Sequence, residues 1–338
     1  MKSMALYGKE DIRPFSYDLE SPHGNDMIVE VLYCGICGSD IRMYFKGPTP
    51  RYTIPVVLGH EIAGRVKHIG PKIKEYSVGD IVSIAPIIPC MQCEVCLRGD
   101  DHLCQRNQVI GTTIHGGFSE LIYMPDEMVS AGGVAKVPQG VPFEALALAE
   151  TLACCLHGIR LVPYTVGQRF LIIGDGPIGL SFLQLVKRMG ASYVVTAGRR
   201  PSRRKLSKKM GADLAIDVTT IGLENQLDEL FDVVIIANSN PASVSQAINL
   251  TRSGGHILLF SGYTYGTKIE VDPNILHYRE LQIHGSIDAT VKDFNKAVQL
   301  LPYLKMDQLI SAKFPLDQIK DAFQFAKNND VIKVVIQP

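Results

Sequence analysis

The chain lacks an excess of charge, a long apolar run and any tryptophan. Its 338 residues contain 34 lysines and arginines and 34 aspartates and glutamates. Nucleic-acid binders and membrane-surface proteins usually carry a basic surplus, so we predict neither role. No apolar run approaches the roughly 18 residues of a spanning helix, and residues 1–10 show no apolar signal-peptide core. Without tryptophan, ligand binding must be followed by the fluorescence of the ligand.

The length and the cysteine count bound the class of protein. A chain of 338 residues is too long for one ordinary core and suits two domains. Its eight cysteines follow no secretion signal, which favours metal ligation in a reducing cytoplasm over a disulfide framework. We therefore expect a cytoplasmic protein that binds metal.

Four of the cysteines form the most specific motif. They lie within 15 positions, at spacings of two, two and seven intervening residues: Cys90, Cys93, Cys96 and Cys104. Four thiolates can surround one zinc ion at about 2.3 Å each, and such a closed site is structural. Two disulfides or an iron–sulfur cluster are the alternatives. We predict structural zinc because nothing else in the chain indicates electron transfer.

A second group of metal ligands is predicted around His60 and Glu61. These two ionisable residues stand in an otherwise apolar run between Gly59 and Gly64, where burial without a partner costs several kcal/mol. A zinc ion is one such partner, and a turn that pairs both side chains with the backbone is the bland alternative. Cys37 lies upstream at the end of an apolar segment. A thiolate, an imidazole and a carboxylate would leave one zinc position open, as catalysis requires.

Glu150 is a further candidate. It stands in the middle of an apolar, helix-forming segment, residues 143–157. A carboxylate there should be paired, protonated or bound to metal. We interpret Cys154, Cys155 and His157 in the same segment as core or helix residues, outside the site.

The nucleotide fingerprint follows the apolar strand 169–173. In Gly174-Asp175-Gly176-Pro177-Ile178-Gly179 the first glycine makes a tight turn, the second admits the pyrophosphate and the third lets helix and strand pack closely. A helix is predicted from Ile178 to Met189, with the pyrophosphate at its N-terminus. Further strands are predicted at 193–197, 214–218, 232–238, 256–262 and 281–286, which gives a doubly wound, six-stranded parallel sheet.

The end of the second strand indicates the cofactor. An NAD enzyme would carry an acidic residue there to bond the ribose hydroxyls. This chain has Gly198-Arg199-Arg200 instead, and guanidinium groups bind a 2′-phosphate bidentately. We predict a preference for NADP(H) over NAD(H). The alternatives are the solvated start of a helix, which accounts for most basic residues of 199–209, or a nucleic-acid patch, which the neutral charge balance disfavours.

These motifs resemble the zinc-dependent medium-chain alcohol dehydrogenases over essentially the whole chain, and within them the sorbitol or polyol dehydrogenase branch. The resemblance rests on Gly59-His60-Glu61 with Gly64 and Gly70, on Cys37-Gly38-Ser39-Asp40, on the four-cysteine loop and on Gly174–Gly179. It implies a GroES-like, β-rich catalytic domain at 1–151, to which 289–338 return, and a Rossmann domain at 152–288. A homodimer or homotetramer is also expected.

The resemblance further implies the residues of the catalytic centre. Cys37, His60, Glu61 and Glu150 would surround the catalytic zinc, with the two glutamates alternating or acting through water, and Ser39 would pass on the hydroxyl proton. The chain departs from the branch at Thr151, where proline is usual, which we interpret as minor. It also departs at Arg42, where many relatives have a histidine that relays protons. Arginine is no base near neutral pH, so Arg42 could instead recognise an anionic substrate group.

The predicted function is hydride transfer between NADP(H) and a secondary alcohol or ketone of a polyol, sugar or sugar phosphate. Zinc would polarise the substrate oxygen, and the nicotinamide would carry the hydride. The alternative is a non-catalytic, zinc-bearing NADP-binding sensor or structural protein. An intact set of four potential ligands, Cys37, His60, Glu61 and Glu150, argues against that alternative, because a sensor needs no open metal position.

Overall fold

The computed structural model describes residues 1–328 and 330–338, and these form two compact units. The first unit comprises Met1–Ala153 and Ala289–Pro338, and the second comprises Cys154–Asp288. No described helix is both long and apolar enough to cross a membrane.

The secondary structure alternates between strand-rich and mixed segments. In chain order, the strands are β1 (Ser3–Gly8), β2 (Asp11–Phe15), β3 (Met27–Gly35), β4 (Val56–Val57), β5 (Glu61–Ile69), β6 (Ile81–Ile84), β7 (Ile87–Ile88), β8 (Gln108–Val109), β9 (Leu121–Met124), β10 (Val134–Lys136), β11 (Arg169–Ile173), β12 (Tyr193–Gly198), β13 (Leu214–Asp217), β14 (Phe231–Ile236), β15 (Thr251–Leu259), β16 (Gln282–Gly285), β17 (Ile310–Pro315) and β18 (Lys333–Gln337). The α-helices are α1 (Gly38–Lys46), α2 (Glu94–Leu97), α3 (Asp126–Ser130), α4 (Ala149–Arg160), α5 (Pro177–Arg188), α6 (Pro201–Lys209), α7 (Ala242–Leu250), α8 (Pro273–Arg279), α9 (Val291–Leu300) and α10 (Ile319–Ala326).

The first unit is built on a largely antiparallel sheet. Its described strands follow the order β10-β6-β5-β3-β18-β17, with β9 also paired to β3. The long central strands β3 and β5 place Gly35 opposite Glu61, and β18 adds on the other side of β3 with Ile336 opposite Cys34. The end of β3, the start of β5 and the last strand of the chain therefore meet at one place in the sheet.

The second unit is a Rossmann fold, as predicted. Within residues 154–288, all of which are described, six parallel strands follow the order β13-β12-β11-β14-β15-β16. Strands β11 and β14 are almost entirely buried apolar residues, as expected for parallel strands covered on both faces. Helix α5 follows β11 directly and α6 follows β12, which brings the loops after both strands to the carboxyl edge of the sheet.

The segment that holds Glu150 differs from its prediction. Residues Phe143–Leu148 form a 3₁₀ helix, and the α-helix begins at Ala149. Glu150 therefore lies in the first turn of α4, and the expectation that it stands mid-helix was wrong. The free N–H groups of a first turn favour a negative charge, so part of the cost that we assigned to this carboxylate is removed by the local backbone.

Candidate metal and nucleotide sites

The four cysteines of the loop converge on one point. Their Sγ atoms all lie within 4.8 Å of one another, and individual separations are 3.4 Å for Cys93–Cys96, 3.8 Å for Cys93–Cys104 and 4.0 Å for Cys90–Cys96. A tetrahedral zinc ion with bonds of about 2.3 Å separates its thiolates by about 3.8 Å. These distances exceed a disulfide bond of about 2.05 Å, and none of the eight cysteines is part of a disulfide. The loop thus fits a single tetrahedral ion.

The surroundings of the loop favour thiolate at one cysteine. The backbone N–H of Gln92, with that of Cys93, lowers the pKa of Cys90 to about 6. Arg106 also contacts this sulfur, with its Nη2 at 3.4 Å. Burial instead raises the pKa of Cys96 to about 12. A divalent cation would stabilise all four thiolates together, since metal binding displaces the thiol protons.

Cys37 and His60 are positioned by Asp40. Cys37 is the N-cap of α1, and the Asp40 carboxylate accepts its backbone N–H at 2.9 Å. The other Asp40 oxygen lies 3.7 Å from Nδ1 of His60. Asp40 is only 2% exposed, and burial raises its pKa against the opposing effect of His60. Sequence reasoning quoted Asp40 only as part of a motif, whereas the structure shows that it orients two predicted ligands.

His60 lies beside two other predicted ligands. Burial disfavours its charged form, but the charge of Asp40, the hydrogen bond with Cys37 and the charge of Glu150 together raise the pKa of His60 well above its ordinary value. Cys37 and Glu150 therefore both lie within electrostatic reach of His60. Such a concentration of a thiol, an imidazole and carboxylates is the donor set of a catalytic zinc site.

Glu61 has a partner that the sequence analysis missed. Nζ of Lys333 lies 2.6 Å from one carboxylate oxygen of Glu61 and 2.8 Å from the other, and Thr151 donates its hydroxyl at 3.0 Å. Glu61 is 1% exposed and Lys333 is 4% exposed. Gly35 makes room for the carboxylate, because a Cβ there would lie 2.0 Å from Oε2 of Glu61. A lone lysine in the apolar strand β18 was the available signal.

The buried Lys333–Glu61 ion pair gives one of the four predicted zinc ligands, Glu61, a different partner. Among the described residues, the four-cysteine loop is the group of three or more potential ligands whose donor atoms all lie within 4.8 Å of one another. The set of Cys37, His60, Glu61 and Glu150 is less compact, and the carboxylate of Glu61 binds Lys333. Thr151 is also more than a minor departure, since proline at this position would remove the hydroxyl that contacts Glu61.

Ser39 and Arg42 lie on α1 next to this centre. The Oγ atom of Ser39 is buried and has no hydrogen-bond partner among the described residues, so its hydrogen-bonding capacity remains for a ligand. Arg42 is exposed on the same helix.

The glycine loop has the geometry that its spacing predicts. Gly174 has a φ of 125°, and a Cβ there would lie 2.8 Å from the carbonyl oxygen of Ala237. A Cβ at Gly179 would lie 1.8 Å from the carbonyl oxygen of Gly174, so this glycine lets α5 pack on the loop. Gly176 is the N-cap and Pro177 the first residue of α5, with Ile178 next. The helix N-terminus thus faces the loop, as required for a bound pyrophosphate.

A pocket of about 510 Å³ extends from this loop to the end of β12. Its lining includes Gly174, Gly176, Gly198 and Arg199, as predicted, together with Arg203, which we had counted among the solvated helix residues. Arg200 caps α6 and is not part of the lining. The two basic residues that border the pocket are therefore Arg199 and Arg203.

Comparisons with known proteins agree with this architecture. Residues 23–138 match the family model of the alcohol dehydrogenase GroES-like domain, and residues 177–302 match that of the zinc-binding dehydrogenases. The chain is 30% identical to D-arabitol-phosphate dehydrogenase of Enterococcus avium over 332 residues, which covers 95% of this chain and 92% of that one. It is 31% identical to L-galactonate-5-dehydrogenase of Escherichia coli K12, with 94% of each chain covered.

A solved structure extends the similarity to the whole chain. A protein from Sinorhizobium meliloti 1021, assigned as a zinc-binding dehydrogenase and solved bound to NADP, superposes with a TM-score of 0.91 at 29% identity, covering 100% of this chain and 99% of that one. The chain belongs to the zinc-dependent medium-chain alcohol dehydrogenases, in their polyol branch. It is an oxidoreductase with a GroES-like and a Rossmann unit, which confirms the enzyme prediction over the non-catalytic alternative.

Proposed function

We propose that the enzyme transfers a hydride between NADP(H) and a secondary alcohol or ketone of a polyol, sugar or sugar phosphate. The observation that carries this proposal is the half-buried group of Cys37, His60 and Glu150 beside the buried Lys333–Glu61 pair. Similarity to dehydrogenases that are named for arabitol phosphate and galactonate supports the substrate class.

Two zinc ions per chain are part of the proposal. Cys90, Cys93, Cys96 and Cys104 would hold a structural ion. Cys37 and His60 would hold the catalytic ion, with Glu150 bound directly or through water. Glu61 would approach the ion only by leaving Lys333. Bound zinc would supply a Lewis acid that polarises the substrate oxygen and lowers the pKa of an alcohol.

The proton of the substrate hydroxyl is assigned to Ser39. Its buried Oγ has a free lone pair and a free O–H, and hydroxyl groups both accept and donate. Because Arg42 cannot act as a base, a proton relay beyond Ser39 would use water or be absent. The exposed guanidinium of Arg42 remains a candidate contact for an anionic substrate group.

The preference for NADP(H) rests on the pocket at the end of β12. Gly198 offers no side-chain carboxylate, while Arg199 and Arg203 line the same cavity. Guanidinium groups bind phosphate oxygens bidentately. The NADP-bound relative supports this assignment. The thiol-rich metal loop also favours a reducing compartment such as the cytoplasm, and a homodimer or homotetramer remains a prediction.

The activity is tested by screening polyols, sugars and sugar phosphates while NADPH absorbance is recorded. We expect oxidation of at least one polyol or sugar phosphate, and loss of that activity in His60→Ala with NADPH binding retained. The matched control is His68→Ala, because His68 is an exposed histidine on the same strand, β5. Turnover that survives in His60→Ala would contradict the proposed centre.

Cofactor preference is tested by the affinities of the two cofactors. NADPH, followed by its fluorescence, should bind at least tenfold more tightly than NADH, and Arg199→Leu should reduce this ratio. Lys205→Leu is the control, since Lys205 is exposed on α6 and does not line the pocket. Equal affinities in the unmodified enzyme would overturn the preference.

A further inference from the structure

An acidic residue stands inside the glycine loop. Asp175 separates Gly174 from Gly176, is only 6% exposed, and lines the pocket with Gly198, Arg199 and Arg203. A buried carboxylate in a phosphate-binding loop is unfavourable unless it interacts with a ligand or a cation. The sequence analysis assigned no role to it.

The position of this carboxylate coincides with the missing side chain of Gly198. A Cβ built on Gly198 would lie 1.8 Å from Oδ2, 2.0 Å from Cγ and 2.6 Å from Oδ1 of Asp175. The carboxylate therefore fills the space at the end of β12. In Rossmann domains that bind NAD, an acidic residue in this region hydrogen-bonds the adenosine ribose. Here the acid comes from the loop after β11 instead of from β12.

The Asp175 carboxylate interacts with neighbouring protein groups, but one of its oxygens has no hydrogen-bond partner among the described residues. Burial raises the pKa of Asp175, whereas the charge of Arg203 and the backbone N–H groups of Asp175 and Arg200 lower it. Its Oδ2 atom has no hydrogen-bond partner among the described residues. A buried acceptor without a partner indicates that a ligand supplies the donor. The donor groups of a bound nucleotide in this region are the hydroxyls of its ribose.

We propose that Asp175 provides the ribose-binding carboxylate that β12 lacks: it accepts a hydrogen bond from the 2′-hydroxyl of NAD(H) and opposes the 2′-phosphate of NADP(H). This inference rests on the proposed nucleotide site. It concerns how strongly that site prefers NADP(H) over NAD(H). Arg199 and Arg203 favour the phosphate, and Asp175 favours the hydroxyl. The enzyme then uses both cofactors, in a ratio that this one carboxylate limits.

The decisive variant is Asp175→Asn, which keeps the size of the side chain and removes its charge. Affinities for NADPH and NADH should diverge, with the NADPH/NADH ratio of affinities rising at least tenfold. An unchanged ratio overturns the inference. A ratio that falls also overturns it, since Asp175 would then position Arg203 for the phosphate. Equal loss of both affinities overturns it as well and would assign Asp175 to loop structure.

Three adenosine ligands isolate the ribose contact: AMP, 2′-deoxy-AMP and adenosine 2′,5′-bisphosphate. In the unmodified enzyme, removal of the 2′-hydroxyl should weaken binding about tenfold, a usual effect for a hydrogen bond to a charged group. In Asp175→Asn the difference between AMP and 2′-deoxy-AMP should shrink, and the bisphosphate should bind more tightly. Identical discrimination in both proteins contradicts a direct contact.

Two further variants test whether Asp175 acts by direct contact. One removes a different negative charge outside the pocket lining, and the other changes the space beside the Asp175 carboxylate. Asp217→Asn removes an acid that pairs with Arg204 at 2.6 Å and does not line the pocket, so the cofactor ratio should stay within twofold. A tenfold change there would contradict a direct contact. Gly198→Ala should displace the carboxylate and raise the ratio, but should have little effect in an Asp175→Ala background. Equal effects in both backgrounds overturn the steric assignment.

The outcomes for the two proposals are independent. Equal affinity of the unmodified enzyme for NADPH and NADH removes the proposed preference, yet the response to Asp175→Asn still tests the ribose contact. Conversely, a strong preference that Asp175→Asn leaves untouched removes the role of Asp175 alone.

Discussion

The four-cysteine loop and the centre around His60 are two metal-ligand regions built in opposite ways. The loop draws its four donors from 15 consecutive positions, so the local chain already brings them together. The centre draws its groups from the starts of α1, β5 and α4, and from β18. A structural ion can be specified by spacing alone, whereas an open catalytic site needs the whole sheet to assemble it.

The two regions also differ in the charges that the fold supplies. The converging donor atoms of the loop are all thiol sulfurs, and Arg106 contacts the sulfur of Cys90. The centre buries two carboxylates, Asp40 and Glu61, and balances Glu61 with a buried lysine. Removing one partner of a buried ion pair strongly destabilises the fold, because the other charge is left buried without compensation. Lys333 therefore compensates the charge of Glu61, and Asp40, which orients two predicted ligands, is as deeply buried as a core residue.

The largest effect is expected for a variant of the four-cysteine loop. If that variant were as stable as the unmodified enzyme, the contrast between a structural loop and a catalytic centre would not hold. Cys93→Ser should remove zinc and reduce the free energy of unfolding by about 4 kcal/mol or more, because metal binding contributes to folding. Metal analysis and thermal denaturation measure both effects. Cys154→Ala is the control, since this buried cysteine lies outside the loop, and it should keep the zinc content. One zinc in the unmodified chain, or iron with sulfide, would contradict the assignment.

Lys333→Met tests the balance of charge in the centre. It leaves the carboxylate of Glu61 buried without its cation, and a loss of about 3 kcal/mol is expected. The double variant with Glu61→Gln should recover most of that stability, since both charges are then gone. Thermal melts of the four proteins of this cycle measure the coupling. If Lys333→Met and the double variant were equally stable, the burial of the Glu61 carboxylate would not depend on its pairing with Lys333.

Glu150→Gln tests whether this carboxylate acts at the metal. A residue that binds zinc directly or through water should lower kcat by about 100-fold when its charge is removed, with NADPH affinity little changed. Glu144→Gln is the matched control. The carboxylate of Glu144 pairs with Nζ of Lys313 at a distance of 2.7 Å and is not one of the predicted zinc ligands. Full activity of Glu150→Gln at saturating substrate, with zinc occupancy checked, would place Glu150 outside the active site.

The smallest effect is expected at Thr151. Thr151→Val removes one hydrogen bond to Glu61 while it keeps the side-chain volume, and about 1.5 kcal/mol of stability should be lost. Thr267→Val is the control, because the Thr267 hydroxyl bonds only its own exposed turn. A loss no greater than in the control would show that Lys333 alone fixes the carboxylate.

Sequence periodicity and spacing predicted the architecture well where local rules apply. The bounds of β11 match their prediction, because an apolar run between turn residues specifies a buried strand. The six parallel strands and the turn at Gly174 were also predicted from local patterns. Glu150 shows the limit: an apolar segment looks helical throughout, and periodicity does not reveal where 3₁₀ geometry changes to α.

The sequence by itself determined the family, the glycine loop and the set of four thiols, because each depends on residues close together in the chain. Only the tertiary structure decided the partners of the buried charges. Lys333 meets Glu61 across 272 positions, and Asp175 fills the space beside Gly198. No spacing rule connects such residues. Burial makes an unpaired charge costly, and the fold alone determines which partner lies within reach.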